Sequence, residues 1–209
     1  MPTQLVLIRH GESASNAGRW LSGTSTCGGL SELGRVQAER LRDRFVRSGE
    51  RPDVLLSSTM PRAVQTAEIV GEPLGLDLVT MDDLGERTPG ECEGMTHDEY
   101  EQRYGKRPWA DWEEPLSPGG ESNEEFLARV RRVIPALAAE HRDRTLWVVC
   151  HGGIIMSTAQ LLMGTTHRGA VPVWGNPANT AVSEWVEWDG QWITVRYNDA
   201  AHLEGLAPA

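Results

Sequence analysis

Apolar and polar positions along the chain alternate between two periods. Gln4–Ile8, Val54–Leu56 and Thr145–Cys150 (TLWVVC) are short apolar runs of the kind that buried strands make. Between them, apolar residues recur at helical spacing. Ser31–Arg47 carries Leu33, Val36, Leu41 and Phe45 with charges between, which predicts a helix with one buried face. Met60–Val70 reads as a second helix. Phe126–Ala139, with Phe126, Leu127, Val130, Val133, Ile134 and Leu137, reads as a third, and a fourth runs from about Gly152 to Leu162. Near the end, AVSEWVEW (181–188) and WITVRY (192–197) flank DGQ, which predicts an antiparallel hairpin. Helices set between buried strands predict a layered α/β fold with a mixed sheet. From Thr88 to Ser122 both periods fail and Gly, Pro, Trp and acidic residues interleave. This segment is expected to be an irregular insertion that covers a binding site.

Size and charge narrow the functional classes. At 209 residues and 39% hydrophobic, the expectation is a single domain over 1–209. A formal net charge of -10 disfavours nucleic acid and anionic membranes as partners. The longest apolar runs are far too short to span a bilayer and no leader-like segment opens the chain, so a soluble, cytoplasmic protein is expected. Cys27, Cys92 and Cys150 are widely spaced and the histidines form no HExxH pair, so neither a disulfide framework nor a metal site is expected.

Candidate chemistry collects where three strands end. In open α/β sheets ligands sit beyond the carboxyl ends of the strands. Here the first strand ends in Arg9 and His10, the second runs into TMPRAVQTAEIV, and the third delivers His151. Ser58 or Thr59 is the expected N-cap of the helix that follows the second strand, with Pro61 in its first turn. That places the cation of Arg62 at the positive end of a helix dipole, which is unfavourable unless an anion joins it. Two arginines, two histidines and free backbone amides at one spot describe a phosphate pocket. Trp109 and Trp112 in the insertion are candidates either for stacking on a substrate or for packing a loop that otherwise lacks a core.

These residues resemble the histidine phosphatase (phosphoglycerate mutase-like) superfamily over nearly the whole chain. The resemblance rests on RHGE at Arg9–Glu12 followed by Asn16, on LSELGRVQAERL, on SSTMPRAVQTAEIV, on LGERTPGECEG, on PGGES at 118–122 and on CHGGII around His151. It implies a three-layer α/β/α sandwich with a mixed, mostly parallel sheet. It also implies a metal-independent and cofactor-independent phosphomonoester hydrolase of the histidine acid phosphatase type. His10 would attack phosphorus, Arg9 and Arg62 would hold the phosphoryl oxygens, His151 would stabilise the transferring group, and Glu86 would protonate the leaving oxygen. Glu91 and Glu93 compete for that last role, and a surface pair with Arg87 is the plainer reading of Glu86. Asn16, Ser22, Gly23 and Gly152 are the further substrate-binding candidates. The chain departs from the family at Cys92 and in the loop SGTSTCGGLS (22–31). Cys27 and Cys92 are read either as two unrelated thiols or as neighbours able to form a regulatory disulfide. The expected partner is a small phosphate ester, and a homodimer is compatible with the resemblance. Two rivals stay open. One is phosphoryl transfer of the cofactor-dependent mutase type, which the short insertion, with only Arg103, Lys106 and Arg107 as cations, disfavours. The other is a noncatalytic phosphoryl-binding or partner-binding module.

Overall fold

The computed structural model of the chain describes residues 1–108, 110, 113–164 and 175–206. Its elements are β1 (Gln4–Arg9), α1 (Ala14–Gly18), α2 (Glu32–Ser48), β2 (Val54–Ser58), α3 (Pro61–Gly71), β3 (Leu78–Met81), α4 (His97–Tyr104), α5 (Asn123–Glu140), β4 (Thr145–Cys150), α6 (Gly152–Leu162), β5 (Val182–Trp188) and β6 (Gln191–Asp199). The strands form one sheet in the order β3-β2-β4-β1-β5-β6. β1 to β4 run parallel, and β5 is antiparallel to both β1 and β6.

Strand alternation builds the layers. Leu5, Leu146 and Trp185 are paired across β1, β4 and β5 and point into one cluster, while Val6 and Trp147 one residue on point into the other. α5 and α6 close the first cluster with Phe126, Val130, Ile134, Ile154 and Ile155. α2 and α3 close the second with Leu41, Phe45, Ala63, Ala67 and Val70. The result is the α/β/α sandwich with a mixed, mostly parallel sheet that the resemblance implied. Each large side chain fully buried this way contributes about 1.5–3 kcal/mol.

Several local expectations are corrected. The buried face of α2 is Gly34, Gln37, Ala38, Leu41 and Phe45, and Val36 is 40% exposed. Val36 stands five residues from Leu41, about 140° around the helix, so an apolar side chain there cannot share its face. The N-cap of α3 is Met60, neither Ser58 nor Thr59. The Ser58 hydroxyl accepts the Met60 N–H at 3.2 Å, and the Thr59 hydroxyl donates to Asp82 at 2.6 Å.

The segment 88–122 is not irregular throughout. It contains α4, opened by a capping box in which Thr96 and Glu99 bond each other's backbone amides. Its two ends close on each other. Glu91 N–H donates to Pro118 O at 3.0 Å and Glu121 N–H to Thr88 O at 3.0 Å. A Cβ on Gly90 would lie 2.3 Å from Gly120 N, so this backbone crossing requires glycine. Leu21, Cys92, Tyr100 and Leu116 form a small core of their own beneath it.

Candidate active site

The register of the sheet brings the two histidines together. Arg9 is the Cα partner of Cys150 in the parallel β1–β4 pair, so the next residue of each strand, His10 and His151, leaves the same edge side by side. Their ring centroids are 5.0 Å apart, and both rings are buried. His10 N–H donates to Cys150 O at 3.0 Å and Asn179 Nδ2 donates to His10 O at 3.0 Å, which fixes the His10 backbone on both sides.

The partners of His10 define its tautomer. Nδ1 lies 2.7 Å from Gly11 O, an acceptor, so the proton sits on Nδ1. Nε2 is then a bare lone pair, and it accepts from Arg62 Nε at 3.1 Å. Burial first, and then the charges of Arg62 and Arg9, hold His10 well below the ordinary histidine pKa. Burial, Arg62 and His10 do the same to His151, whose Nε2 meets the Ser58 hydroxyl at 2.9 Å. Both imidazoles are therefore neutral near pH 7.

The two arginines are held cations. Arg62, the second residue of α3, is 4% exposed and donates through Nη1 to Ser22 Oγ at 2.9 Å and to Cys27 Sγ at 3.3 Å. Arg9 donates to Pro177 O, and burial pushes its pKa down to about 10, so it stays charged at neutral pH. Arg9 Nε and His151 Nδ1 are buried with no partner among the described residues. Buried polar atoms are rarely left so unless a ligand or water completes them.

Glu86 faces the same space. Its Oε1 accepts the Arg87 N–H at 3.0 Å and its Oε2 accepts the Gly153 N–H, in the first turn of α6, at 3.0 Å. The plainer reading, a surface pair with Arg87, gives way to a different arrangement. Arg87 is 2% exposed, and its guanidinium donates to the carbonyls of Glu114 and Glu121. Of the competing carboxylates, Glu91 is exposed, and Glu93 binds the hydroxyls and amides of Ser25 and Thr26 through Oε1.

A cleft of about 470 Å³ is lined by Arg9, His10, Arg62, Asn16, Ser22 and Glu86. His151 is fully buried beside His10 and is not among the residues that line it. Gly23 lines a neighbouring cavity of about 340 Å³ and Gly152 is buried beside Asn176, so neither is brought to the cleft wall. Trp109 and Trp112 lie outside the described residues. Trp20, Arg87, Pro89, His97, Gly153, Met156 and Asn176 line the cleft without having been anticipated. For His97 the available signal is its place just behind the Thr96 cap, since the unpaired amides of a helix N-terminus suit an anionic ligand. Trp20 gave no signal of its own. Cys27 binds Arg62, whereas Cys92 donates to Pro89 O at 3.1 Å, and all three cysteines are free thiols. Burial raises the pKa of Cys92 and Cys150, which suppresses thiolate chemistry at both. Among the described residues, no group of three or more His, Cys, Asp or Glu side chains is placed to hold a metal, and no helix is long and apolar enough to cross a membrane.

A buried histidine bonded to Arg62 and next to Arg9, with a second histidine at its side and a carboxylate lining the same cleft, is an arrangement suited to a phosphoryl group. The chain belongs to the histidine phosphatase superfamily (branch 1), whose family model matches residues 5–200. It is 31% identical over 204 residues to a glucosyl-3-phosphoglycerate phosphatase of Mycobacterium tuberculosis (strain ATCC 25618 / H37Rv), covering 90% of this chain and 86% of that protein. It is 33% identical over 175 residues to a 2,3-bisphosphoglycerate-dependent phosphoglycerate mutase of Chelativorans sp. (strain BNC1), covering 78% of this chain and 83% of the mutase. Among solved structures, YhfR of Bacillus stearothermophilus superposes with a TM-score of 0.86 at 27% identity, over 97% of this chain and 100% of that one.

Proposed function

We propose that the chain is a phosphoric monoester hydrolase of the histidine acid phosphatase type, acting on a small phosphorylated metabolite through a phosphohistidine. The observation that carries this reading is the unprotonated Nε2 of His10, which accepts from Arg62 Nε at 3.1 Å in the cleft that Glu86 also lines. Arg62 passes its Nε–H from Nε2 to a phosphoryl oxygen, which frees the lone pair; Nε2 then attacks phosphorus, and the bond from phosphorus to the alcohol oxygen breaks in line with it. Arg62 and Arg9 take the equatorial oxygens, with His151 as a further donor. Glu86 gives its proton to the departing alkoxide. Water then attacks the phosphohistidine and returns a proton to Glu86, releasing phosphate and free His10.

Hydrolysis is favoured over mutase-type transfer by what the 88–122 segment brings to the cleft. Among the described residues it contributes Pro89 and His97 and no arginine or lysine. Arg103 lies over the Tyr104 ring, 5.5 Å from its centroid. A mutase must hold a second phosphate while it reorients its intermediate, and that calls for further cations. The noncatalytic alternative is disfavoured because His10 and Glu86 are both present and share the cleft. The partner is thus a small phosphate ester, and the expected setting is the cytoplasm.

The test is phosphate release from a panel of metabolite phosphates in EDTA, run beside a mutase assay with 3-phosphoglycerate and 2,3-bisphosphoglycerate. Hydrolysis of at least one ester in the chelator, with no isomer formed, is expected. Loss of activity on chelation with recovery on adding a divalent cation, or isomerisation faster than hydrolysis, would overturn the proposal.

A further inference from the structure

Gly153 sits in the first turn of α6, within a regular helix and without a positive φ. Glycine is among the poorest helix formers, so backbone conformation gives no reason for it there. Its surroundings do. A Cβ at this position would lie 2.2 Å from Glu86 Oε1 and 3.1 Å from Glu86 Cδ. On the other side it would lie 3.0 Å from Cζ of Phe126, a ring fully buried in the main core and unable to yield cheaply. The carboxylate therefore occupies the space a side chain would take. The Gly153 amide, one of the first-turn donors without an intrahelical acceptor, holds Oε2 at 3.0 Å.

We infer that Gly153 is a positioning residue for the acid step: its amide orients the Glu86 carboxyl and its missing Cβ makes room for it. The inference rests on the reading of Glu86 as proton donor. Two other tight glycines of this chain act differently, and at Gly23 a Cβ would meet the carboxylate of Glu93, which lies outside the cleft lining. A Cβ on Gly34 would strike Glu12 O at 1.9 Å and so displace main chain, and a Cβ on Gly152 would meet Asn176 Oδ1 at 2.0 Å. At Gly153 the group displaced is one carboxylate, so the damage falls on one chemical step. A leaving group that needs a proton feels that displacement, and an activated one scarcely does.

The experiment compares the wild type, Gly153→Ala, Glu86→Gln and the double variant on p-nitrophenyl phosphate and on an alkyl phosphate, with vanadate inhibition as a check on the phosphoryl pocket. Gly153→Ala is expected to lose on the order of 30-fold or more in kcat/KM with the alkyl ester and several times less with the aryl ester, as a displaced general acid requires. It should keep vanadate inhibition, and the double variant should be no slower than Glu86→Gln alone. Equal losses on the two esters, or losses that multiply in the double variant, would overturn the inference while leaving Glu86 as the acid. If Glu86→Gln itself slows both esters alike, the acid assignment falls and the inference with it. Should Gly153→Ala not fold, Phe126→Leu/Gly153→Ala, which gives α6 room on the far side of the new methyl, is read by the same ratio of esters.

Discussion

Arg9 and His10 reach the cleft from the end of β1, His151 backs His10 from the end of β4, and Arg62 reaches the cleft from the start of a helix packed on the same sheet. Their positions follow from sheet register and core packing. Pro89 and His97 reach it from a segment held by other means. Arg87 donates to the carbonyls of Glu114 and Glu121, Tyr100 Oη donates to Leu116 O at 2.8 Å, Ser117 Oγ donates to Pro89 O at 2.8 Å, and the apolar support is small. On the proposed reading, the grip on phosphorus and the wall around the alcohol thus have separate foundations. Under it, chemistry common to every phosphomonoester is tied to the core, and recognition of a particular alcohol is tied to a replaceable segment. Weakening one should leave the other readable.

The largest effect is expected at the first foundation. Arg62→Ala should cost about 3 kcal/mol or more in kcat/KM for every ester, because a desolvated, charge-assisted contact to the transferring group is lost. Arg62→Lys should recover only part, since an ammonium lacks the planar fork that reaches His10, Ser22 and phosphate together. Steady-state kinetics on three unrelated esters checks this, and a loss confined to one of them would place Arg62 on the alcohol side.

A smaller effect is expected at the second. Leu116→Ala should remove about 2 kcal/mol of local packing under α4. It should reorder metabolite esters by kcat/KM while changing p-nitrophenyl phosphate hydrolysis by no more than about 3-fold. A uniform loss across all esters would mean that the two foundations are coupled.

The smallest effect belongs to stability. An unfolded histidine takes up its proton near pH 6.5, whereas burial, with the charge of Arg44, pushes His202 down to about 4 in the folded chain. Between those values the unfolded state binds more protons, so stability falls as pH falls from 6.5 toward 4. His10 and His151 act in the same direction. His202 Nε2 meets Thr180 Oγ1 at 2.8 Å, a contact that glutamine can keep, so His202→Gln should flatten the slope of Tm against pH without abolishing it. An unchanged slope would show that His202 titrates normally in the folded protein.

What was legible in the sequence follows the same division. Strands buried on both faces write continuous apolar runs, so β1, β4 and the residues that leave them could be read directly. β3 escaped because its burial is partial, with Val79 49% exposed, and the edge strand leaves little pattern. α1 has five residues and depends on the reciprocal bonds of Ser13 and Asn16. α4 buries only Tyr100, so its eight residues show no periodicity, and its one sequence signal is the spacing of Thr96 and Glu99. The buried place of Arg87 is not legible, because carbonyl acceptors 27 and 34 residues away leave no mark in the sequence. The same holds for Gly153, whose meaning depends on a carboxylate 67 residues away along the chain.

The central claim is that His10 becomes covalently phosphorylated, and trapping that species tests it most directly. Wild-type enzyme is mixed with an ester labelled in its phosphoryl group and quenched in alkali within the first turnovers, and the label is mapped by peptide mass spectrometry. Phosphate is expected on the imidazole of His10, discharged on longer incubation, with neither label nor turnover in His10→Ala. Label on another residue, or near-wild-type turnover by His10→Ala, would contradict it.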